Sequence, residues 1–240
     1  MISLAIDIGN TSIKAGIFEN HVLQTIFRFE NTEGLKLYCD NLSPDTFGII
    51  SNVTNQNLSS FNSCFTELII LDHTTVVPIN NHYKTPETLG NDRLAAVVGA
   101  NSLYPDKNNL VIDVGTCIKY DFIDSEKNYS GGSISPGLDM KFSALNHYTQ
   151  KLPRIEKQND FHISGDSTHS ALLSGVMFGS LMEMQGFIDQ HTSKNDSLQV
   201  IVTGGDHAFF VGRLKGTIFA EPDLVVKGLF QILKYNVPKV

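Results

Sequence analysis

Two stretches of this sequence end an apolar run in an aspartate that is followed, two positions later, by glycine. Residues 4–18 read LAIDIGNTSIKAGIF and residues 110–124 read LVIDVGTCIKYDFID, so that Asp7 and Asp113 occupy matching places. In both stretches a small polar residue follows the glycine, and apolar residues then resume. The two stretches predict two β-hairpins of one design, each with a tight polar turn.

The chemistry open to such turns is phosphate binding, because backbone N–H groups and hydroxyls in a tight turn can hold phosphate oxygens. A carboxylate repels phosphate, so its expected role is to hold a cation or the water shell of that cation. The residues expected to bind phosphate are Asp7, Ile8, Gly9, Asn10, Thr11, Ser12, Ile13, Lys14 and Thr116. Asp7 is the residue of the first loop expected to hold that cation. The alternative is an Asx-type turn in each hairpin with no ligand.

A third polar stretch, YKTPETLGNDR at residues 83–93, places Asp92 beside Arg93 in a glycine-containing turn at a predicted helix start. Transfer of a phosphoryl group to an alcohol usually needs a carboxylate that accepts the hydroxyl proton, and Asp92 suits this role. Arg93 can bind a substrate carboxylate through a bidentate pair. The alternative is that Asp92 caps the helix and Arg93 pairs with it on the surface.

Alternating and β-branched runs predict the strands that position these residues. Residues 1–8 and 13–18 form the first hairpin, residues 19–29 supply a turn and a third strand, and 46–53 and 68–72 are buried strands. With helical connections between them, this is an α/β chain.

Helix-start signals lie at Thr85 to Glu87 and at Asn91 to Asp92, and the stretch 103–110 is the best linker. The expected domains are therefore 1–106 and 107–240. Because the Asp-Gly hairpin opens both halves, we expect a duplicated fold whose halves face each other across a cleft.

Composition narrows the class of partner. The 240 residues carry a formal net charge of −7, which gives no basic footprint for nucleic acid or an acidic membrane. Three cysteines without a C-x-x-C pair argue against disulfides and zinc and favour the cytoplasm. We find no apolar run near the roughly 18 residues that span a bilayer. The expectation is a cytoplasmic protein that acts on small molecules.

The paired loops resemble those of the acetate kinase, sugar kinase, Hsp70 and actin superfamily, which implies a duplicated actin-like (ribonuclease H-like) fold. Further stretches are similar to those of type III pantothenate kinases, and they run in order along the chain. They are YKTPETLGNDR (83–93), GGSISPG (131–137), the G-x-x-T helix start at Gly165 and Thr168, TGGD (203–206) and PDLVVKGL (222–229).

The resemblance implies ATP-dependent phosphorylation of pantothenate, the first step of coenzyme A biosynthesis. It gives Asp92 the role of the base, and the expected substrate-binding residues are Tyr83, Gly90, Asn91, Asp92, Arg93 and Thr168. It also implies ATP at residues 7–14 and Thr116, magnesium on ATP with Asp7 as the expected magnesium residue, a monovalent cation (potassium or ammonium) at Asp113, and a homodimer. For Tyr83 an ordinary place at the edge of the core is the alternative. Thr168 is expected to cap its helix as well.

Two departures stand in the second loop, where the family commonly has D-x-G-T-A-x-T: this chain has Cys117 for the alanine and Lys119 for the later threonine. The Lys119 ammonium either offsets charge that a cation would otherwise supply or points outward as a solvated side chain. Asp166 stands where the family often has a basic residue. Cation dependence and nucleotide affinity are the properties that these departures affect.

Two other functions fit the paired loops. Another small-molecule kinase of the superfamily would share both loops but lack the 83–93 signature. A nucleotide-binding scaffold or transcription accessory protein on the same fold would have no need for a carboxylate at position 92. Screening alcohols and carboxylates for ATP-dependent phosphorylation distinguishes the kinases, and an Asp92→Asn variant distinguishes the scaffold.

Overall fold

The computed structural model describes residues 1–54, 56–195 and 197–240, which form two compact units. Unit 1 comprises Met1–Asp106, Ile123–Gly131 and Asp223–Val240, and unit 2 comprises Lys107–Phe122 and Gly132–Pro222. The division into domains 1–106 and 107–240 stays a prediction. The two units differ from it in that two later segments, including the C-terminal one, cluster with the first 106 residues.

The chain alternates strands and helices. The strands are β1 (Ile2–Ile8), β2 (Ile13–Glu19), β3 (Val22–Phe29), β4 (Phe47–Asn52), β5 (Glu67–Ile70), β6 (Asn80–Asn81), β7 (Asn109–Val114), β8 (Cys117–Ile123), β9 (Asn128–Pro136), β10 (Gln199–Thr203) and β11 (Ile218–Ala220). The helices are α1 (Thr32–Cys39), α2 (Asn91–Leu103), α3 (Leu138–His147), α4 (Thr168–Leu173), α5 (Gly179–Thr192) and α6 (Leu224–Asn236). The α/β class expected from the sequence is confirmed.

The sheet of unit 1 has the order β3-β2-β1-β4-β5. β1, β2 and β3 pair antiparallel, whereas β1, β4 and β5 pair parallel. The turn between β2 and β3 places Asn20 and His21 at φ 48° and 69°, the left-handed pair that suits a two-residue hairpin. The predicted hairpin, third strand and the strands at 46–53 and 68–72 are all present, and β4 is buried as expected. The expectation that the strand at 68–72 is buried is wrong, because β5 lies at the edge of the sheet and none of its residues is buried.

The strands of unit 2 follow the same order, β9-β8-β7-β10-β11, and β7, β10 and β11 are again parallel. The short β6 pairs with the first residues of β9, at Asn128 and Tyr129, within unit 1. Two sheets of one strand order, each opened by the same Asp-Gly hairpin, are what duplication of a single α/β unit predicts.

The helices α2 and α6 pack against each other in unit 1 at very short range. A Cβ at Gly228 would overlap the Ala95 carbonyl oxygen, and one at Gly99 would lie 2.6 Å from the Leu224 carbonyl oxygen. Glycine on the facing surfaces therefore lets the two backbones touch. The apolar face of α6 is buried in this way, although α6 follows the strands of unit 2 in the chain.

One segment of unit 2, Thr168–Thr192, is long and apolar enough to cross a membrane by length and composition alone. It comprises α4, a π-helical turn at Ser174–Phe178 and α5. Its buried side chains pack with those of β7 and β10 in the core of unit 2. That packing is typical of a core helix.

Candidate active site

The first loop is a tight turn between β1 and β2. The Gly9 N–H donates to the Ser12 carbonyl oxygen at 3.1 Å and closes the turn. Asp7 faces Lys14 across the strand pair, and its Oδ1 accepts a hydrogen bond from the Ser51 hydroxyl at 3.2 Å. The turn therefore joins a carboxylate, an ammonium and hydroxyl groups at the end of β1.

A series of hydrogen bonds connects the start of α2, which carries Asp92, to the same edge of the sheet of unit 1. Asp7 and Ser51 are register partners near the carboxyl ends of the parallel strands β1 and β4. Leu71 follows β5, and its N–H donates to β4 at the Ile50 carbonyl oxygen at 2.9 Å. The Asn91 side-chain amide donates to the Leu71 carbonyl oxygen at 2.7 Å. Helix α2 therefore begins at the carboxyl edge, where α/β proteins bind ligands.

The first turn of α2 carries the expected base and carboxylate-binding residue. Gly90 is the cap residue, and Asp92 Oδ1 accepts the Arg93 backbone N–H at 2.9 Å. The Arg93 side chain is buried, with 5% of the residue exposed. The alternative that placed Arg93 on the surface is therefore wrong. The capping part of that alternative agrees with the hydrogen bond that the Arg93 N–H donates to Asp92.

Tyr83 lies against Arg93 in unit 1. The Arg93 Cζ atom is 5.6 Å from the centre of the Tyr83 ring, within the range of a cation–π contact. The Tyr83 ring also stacks on Tyr129, with centroids 6.4 Å apart. Gly131 has φ 111°, and a Cβ there would lie 2.7 Å from the Tyr83 ring. Tyr83 thus helps to fix the guanidinium, besides occupying the edge of the core.

The second loop joins β7 to β8 in unit 2 and depends on glycines. The Gly115 N–H donates to the Cys117 carbonyl oxygen at 3.0 Å, and the Gly137 N–H donates to the Thr116 carbonyl oxygen at 3.1 Å. A Cβ at Gly137 would lie 2.7 Å from the Thr116 carbonyl carbon. Gly137, the last residue of the GGSISPG stretch, therefore lets α3 begin directly against the second loop.

The TGGD stretch packs on the same loop from β10. Thr203 is the register partner of Asp113, as Ser51 is of Asp7 in unit 1. Gly204 has φ 91°, and a Cβ there would overlap Asp113 Oδ1. The two units thus repeat an aspartate beside a buried hydroxyl residue on the neighbouring parallel strand.

Lys119 points toward Asp113. The Lys119 Nζ lies 2.6 Å from Asp113 Oδ2, and each side chain is 14% exposed. The alternative in which Lys119 points outward as a solvated side chain is therefore wrong. The alternative in which its ammonium offsets charge at the loop agrees with this geometry.

Thr168 is the first residue of α4, in unit 2, but it is not the cap. Ser167 is the cap residue, and it exchanges hydrogen bonds with Ser170 in a capping box. The expected capping role of Thr168 is thus wrong, because Ser167, the residue before it, has the extended backbone conformation of a cap residue. A Cβ at Gly165 would lie 2.5 Å from the Ala171 Cα, so this glycine lets the chain approach the helix closely.

The sequence interpretation missed a polar cluster on Glu183 of α5. Glu183 accepts hydrogen bonds from the Tyr120 hydroxyl at 2.8 Å and from the Lys141 ammonium at 2.7 Å, and from Ser135 as well. Burial raises the pKa of Glu183, but these hydrogen bonds outweigh burial and leave it below the ordinary value of 4.5. These residues lie far apart in sequence, so no local pattern marks them.

The described residues thus bring the expected site together in two sets. Unit 1 holds Asp7 to Lys14 with Tyr83 and residues 90–93, and unit 2 holds Asp113, Thr116 and Thr168. Among the residues that the structure describes, no group of three or more His, Cys, Asp or Glu side chains could ligate a metal. None of the three cysteines forms a disulfide in the described part of the chain.

The repeated strand order, with an Asp-Gly hairpin at the start of both sheets, defines a duplicated actin-like α/β protein. Solved structures of low sequence identity share this fold. A Baf family transcriptional activator from Campylobacter jejuni superposes with a TM-score of 0.66 at 21% identity, covering 99% of this chain and 100% of the other. A ROK family glucokinase from Streptomyces griseus gives 0.54 at 12% identity, covering 95% and 98%.

The chain belongs to the type III pantothenate kinase family, whose family model matches residues 3–190. A type III pantothenate kinase of Phocaeicola vulgatus is 45% identical over 241 residues, covering 98% of this chain and 99% of the relative. One of Flavobacterium johnsoniae is 39% identical over 240 residues, covering 98% of each chain. The sequence resemblance is therefore confirmed over nearly the full length.

Proposed function

We propose that this protein transfers the γ-phosphoryl group of ATP to the primary hydroxyl of pantothenate, giving ADP and 4′-phosphopantothenate. Membership of the family supports this reaction. The observation that carries the proposal is the position of Asp92 and buried Arg93 at the start of α2, which Asn91 ties to the edge where the first loop ends. A base and a carboxylate ligand are the two groups that this acceptor requires.

In the proposed site Arg93 binds the pantothenate carboxylate. Its guanidinium is buried and lies against the Tyr83 ring, so little side-chain entropy remains to be lost on binding. Tyr83 fixes that orientation. Gly90 and Asn91 place the backbone of the turn beside pantothenate. Thr168 is included among the substrate-binding residues because of the family resemblance.

The two loops supply the groups for the nucleotide. Asp7 to Lys14 offer backbone N–H groups, hydroxyls and one ammonium to the phosphates, and Thr116 offers a hydroxyl from the second loop. Magnesium enters as part of the MgATP substrate, with Asp7 as the carboxylate that holds its water shell.

Asp92 performs the proton transfer. As the pantothenate hydroxyl oxygen forms its bond to the γ-phosphorus, the bond from that phosphorus to the β,γ-bridging oxygen breaks and ADP leaves with the electron pair. The hydroxyl proton passes to Asp92. The charge that develops on the transferred group is met by the loop N–H groups and Lys14.

Location and assembly are two further properties, the first inferred from cysteine usage and the second implied by the family resemblance. We propose a cytoplasmic homodimer; Tyr148 and Ile163 of unit 2, which are 82% and 72% exposed, are apolar side chains that a second copy would cover. Light scattering on a sizing column measures the assembly.

The monovalent cation expected at Asp113 does not fit the residues present, because the Lys119 ammonium occupies the carboxylate oxygen Oδ2. No step of the reaction is assigned to such a cation.

The test is a coupled assay of ADP release with purified protein, run with pantothenate, with glucose, with acetate and with no acceptor. The expected result is release that requires pantothenate, with 4′-phosphopantothenate identified by mass spectrometry. Release with another acceptor would favour a different kinase of the superfamily. Nucleotide binding with no turnover on any acceptor would favour a scaffold.

A further inference from the structure

The second loop contains an ion pair between Asp113, near the end of β7, and Lys119, on β8. The ammonium and carboxylate are 2.6 Å apart, and both side chains are 14% exposed. The pair is therefore a largely desolvated contact, and its Coulomb energy is screened less by salt than that of a surface pair.

The surroundings of Asp113 are fixed by backbone, which makes the position of this pair specific. Gly204, at φ 91°, packs against Asp113 Oδ1. The backbone N–H groups of Gly115 and Gly137 donate hydrogen bonds that fix the turn after Asp113. The carboxylate thus has little freedom to move away from the lysine. The remaining oxygen, Oδ2, is the one that Lys119 contacts.

An ammonium group on a lysine has the same charge as potassium or free ammonium ion. Because it is covalently tethered six residues along the chain, it needs no cation concentration in solution to occupy the loop. A second cation bound to Asp113 would lie beside the like charge of Lys119, which disfavours its binding.

We propose that the Lys119 ammonium is a built-in monovalent cation of the second loop, so that nucleotide binding and turnover do not depend on added potassium or ammonium. This inference rests on the proposed function for its turnover part. The part that concerns nucleotide affinity rests on the ion pair and on the proposal that the second loop binds the nucleotide phosphates.

The test compares wild type with Lys119→Met, which keeps the length of the side chain and removes its charge. Lys151→Met is the matched control, since Lys151 is exposed in unit 2 and lies outside the loop. The ADP dissociation constant is measured by calorimetry in choline chloride, potassium chloride and ammonium chloride at matched ionic strength. Turnover with pantothenate is measured in the same buffers.

For wild type and Lys151→Met we expect ADP affinity and turnover to change by less than about twofold between buffers. For Lys119→Met we expect at least about a tenfold loss of both in choline, with recovery in potassium or ammonium. Wild-type protein that needs potassium, or a Lys119→Met variant equal to wild type in choline, would overturn the inference.

Two further measurements keep the inference separate from folding and from the proposed reaction. If Lys119→Met does not fold, the potassium response of wild type still decides, and Lys119→Arg should keep affinity in choline. The thermal midpoint without nucleotide should rise with potassium for Lys119→Met only. If pantothenate is not phosphorylated by wild type, the proposed function fails, whereas the ADP affinities and thermal midpoints still test Lys119.

Discussion

The close contact between α2 and α6 predicts that Gly228→Ala destabilises the protein, whereas helix propensity alone predicts that it is stabilising. Gly228 lies inside α6, where replacing glycine with alanine ordinarily stabilises a helix by about 1 kcal/mol. Here, however, the new methyl group would overlap the Ala95 carbonyl oxygen, lie 2.7 Å from the Ala95 carbonyl carbon and lie 2.9 Å from the Gly99 nitrogen. All of these atoms are backbone, so no side-chain rotation relieves the overlap.

The magnitude follows from the separation that the helices must undergo. Because non-bonded carbon atoms rest about 3.5 Å apart, α2 and α6 must separate by about 1 Å along their contact. Overpacking of this kind costs about 1–3 kcal/mol, and the separation also opens gaps among the buried side chains beside it. Because the overlap is with backbone atoms, we expect a cost at the upper end of that range, about 3 kcal/mol, so that after the gain in propensity of about 1 kcal/mol Gly228→Ala should lose about 2 kcal/mol of unfolding free energy.

The assay is thermal and urea unfolding followed by circular dichroism. For a chain of this size the loss corresponds to a fall of about 4–8 °C in the unfolding midpoint. The control is Gly186→Ala in α5, where a Cβ meets no atom within 4 Å, and which should be as stable as wild type or more stable. A Gly228→Ala variant at least as stable as wild type would refute the account of this packing.

Two further predictions concern the site, and a third concerns the polar cluster on Glu183. Arg93→Lys keeps the charge but loses the planar fork held against Tyr83, so KM for pantothenate should rise by about tenfold or more in steady-state kinetics. Gly204→Ala should weaken ADP binding measured by calorimetry, because its Cβ would overlap Asp113 Oδ1 at φ 91°, whereas Gly205→Ala, with open space, should not. Glu183 has a lowered folded pKa, so its stabilisation is present above 4.5 and lost as the pH falls through the folded value. Thermal midpoints measured against pH should therefore fall less steeply in acid for Glu183→Gln than for wild type.

Local patterns were sufficient to predict the elements that carry the loops. The hairpin of β1 and β2 follows from β-branched runs around a glycine turn, and the start of α2 follows from Gly90, Asn91 and Asp92. The duplication was visible because the Asp-Gly hairpin occurs twice in the sequence. These features depend on residues within about ten positions of one another, where propensity and turn chemistry decide the structure.

Contacts between distant residues could not be predicted in the same way. The packing of α6 in unit 1 depends on Gly99 and Gly228, which are ordinary helix residues when seen in sequence. The direction of Lys119 depends on the pleat of β8, and a shift of one residue in a strand reverses which face a side chain occupies. The cap of α4 is Ser167 and not the expected Thr168, since both are good capping residues and only backbone geometry distinguishes them.

The central claim is that Asp92 accepts the hydroxyl proton of pantothenate at the edge of the sheet of unit 1. The most direct measurement is pantothenate-dependent ADP release by Asp92→Asn beside wild type, with pantothenate binding followed by calorimetry. Asparagine keeps the shape of the side chain and removes its basicity, so kcat should fall by about 10²–10⁴ while the unfolding midpoint and pantothenate binding are retained. An Asp92→Asn variant that turns over as fast as wild type would contradict the account.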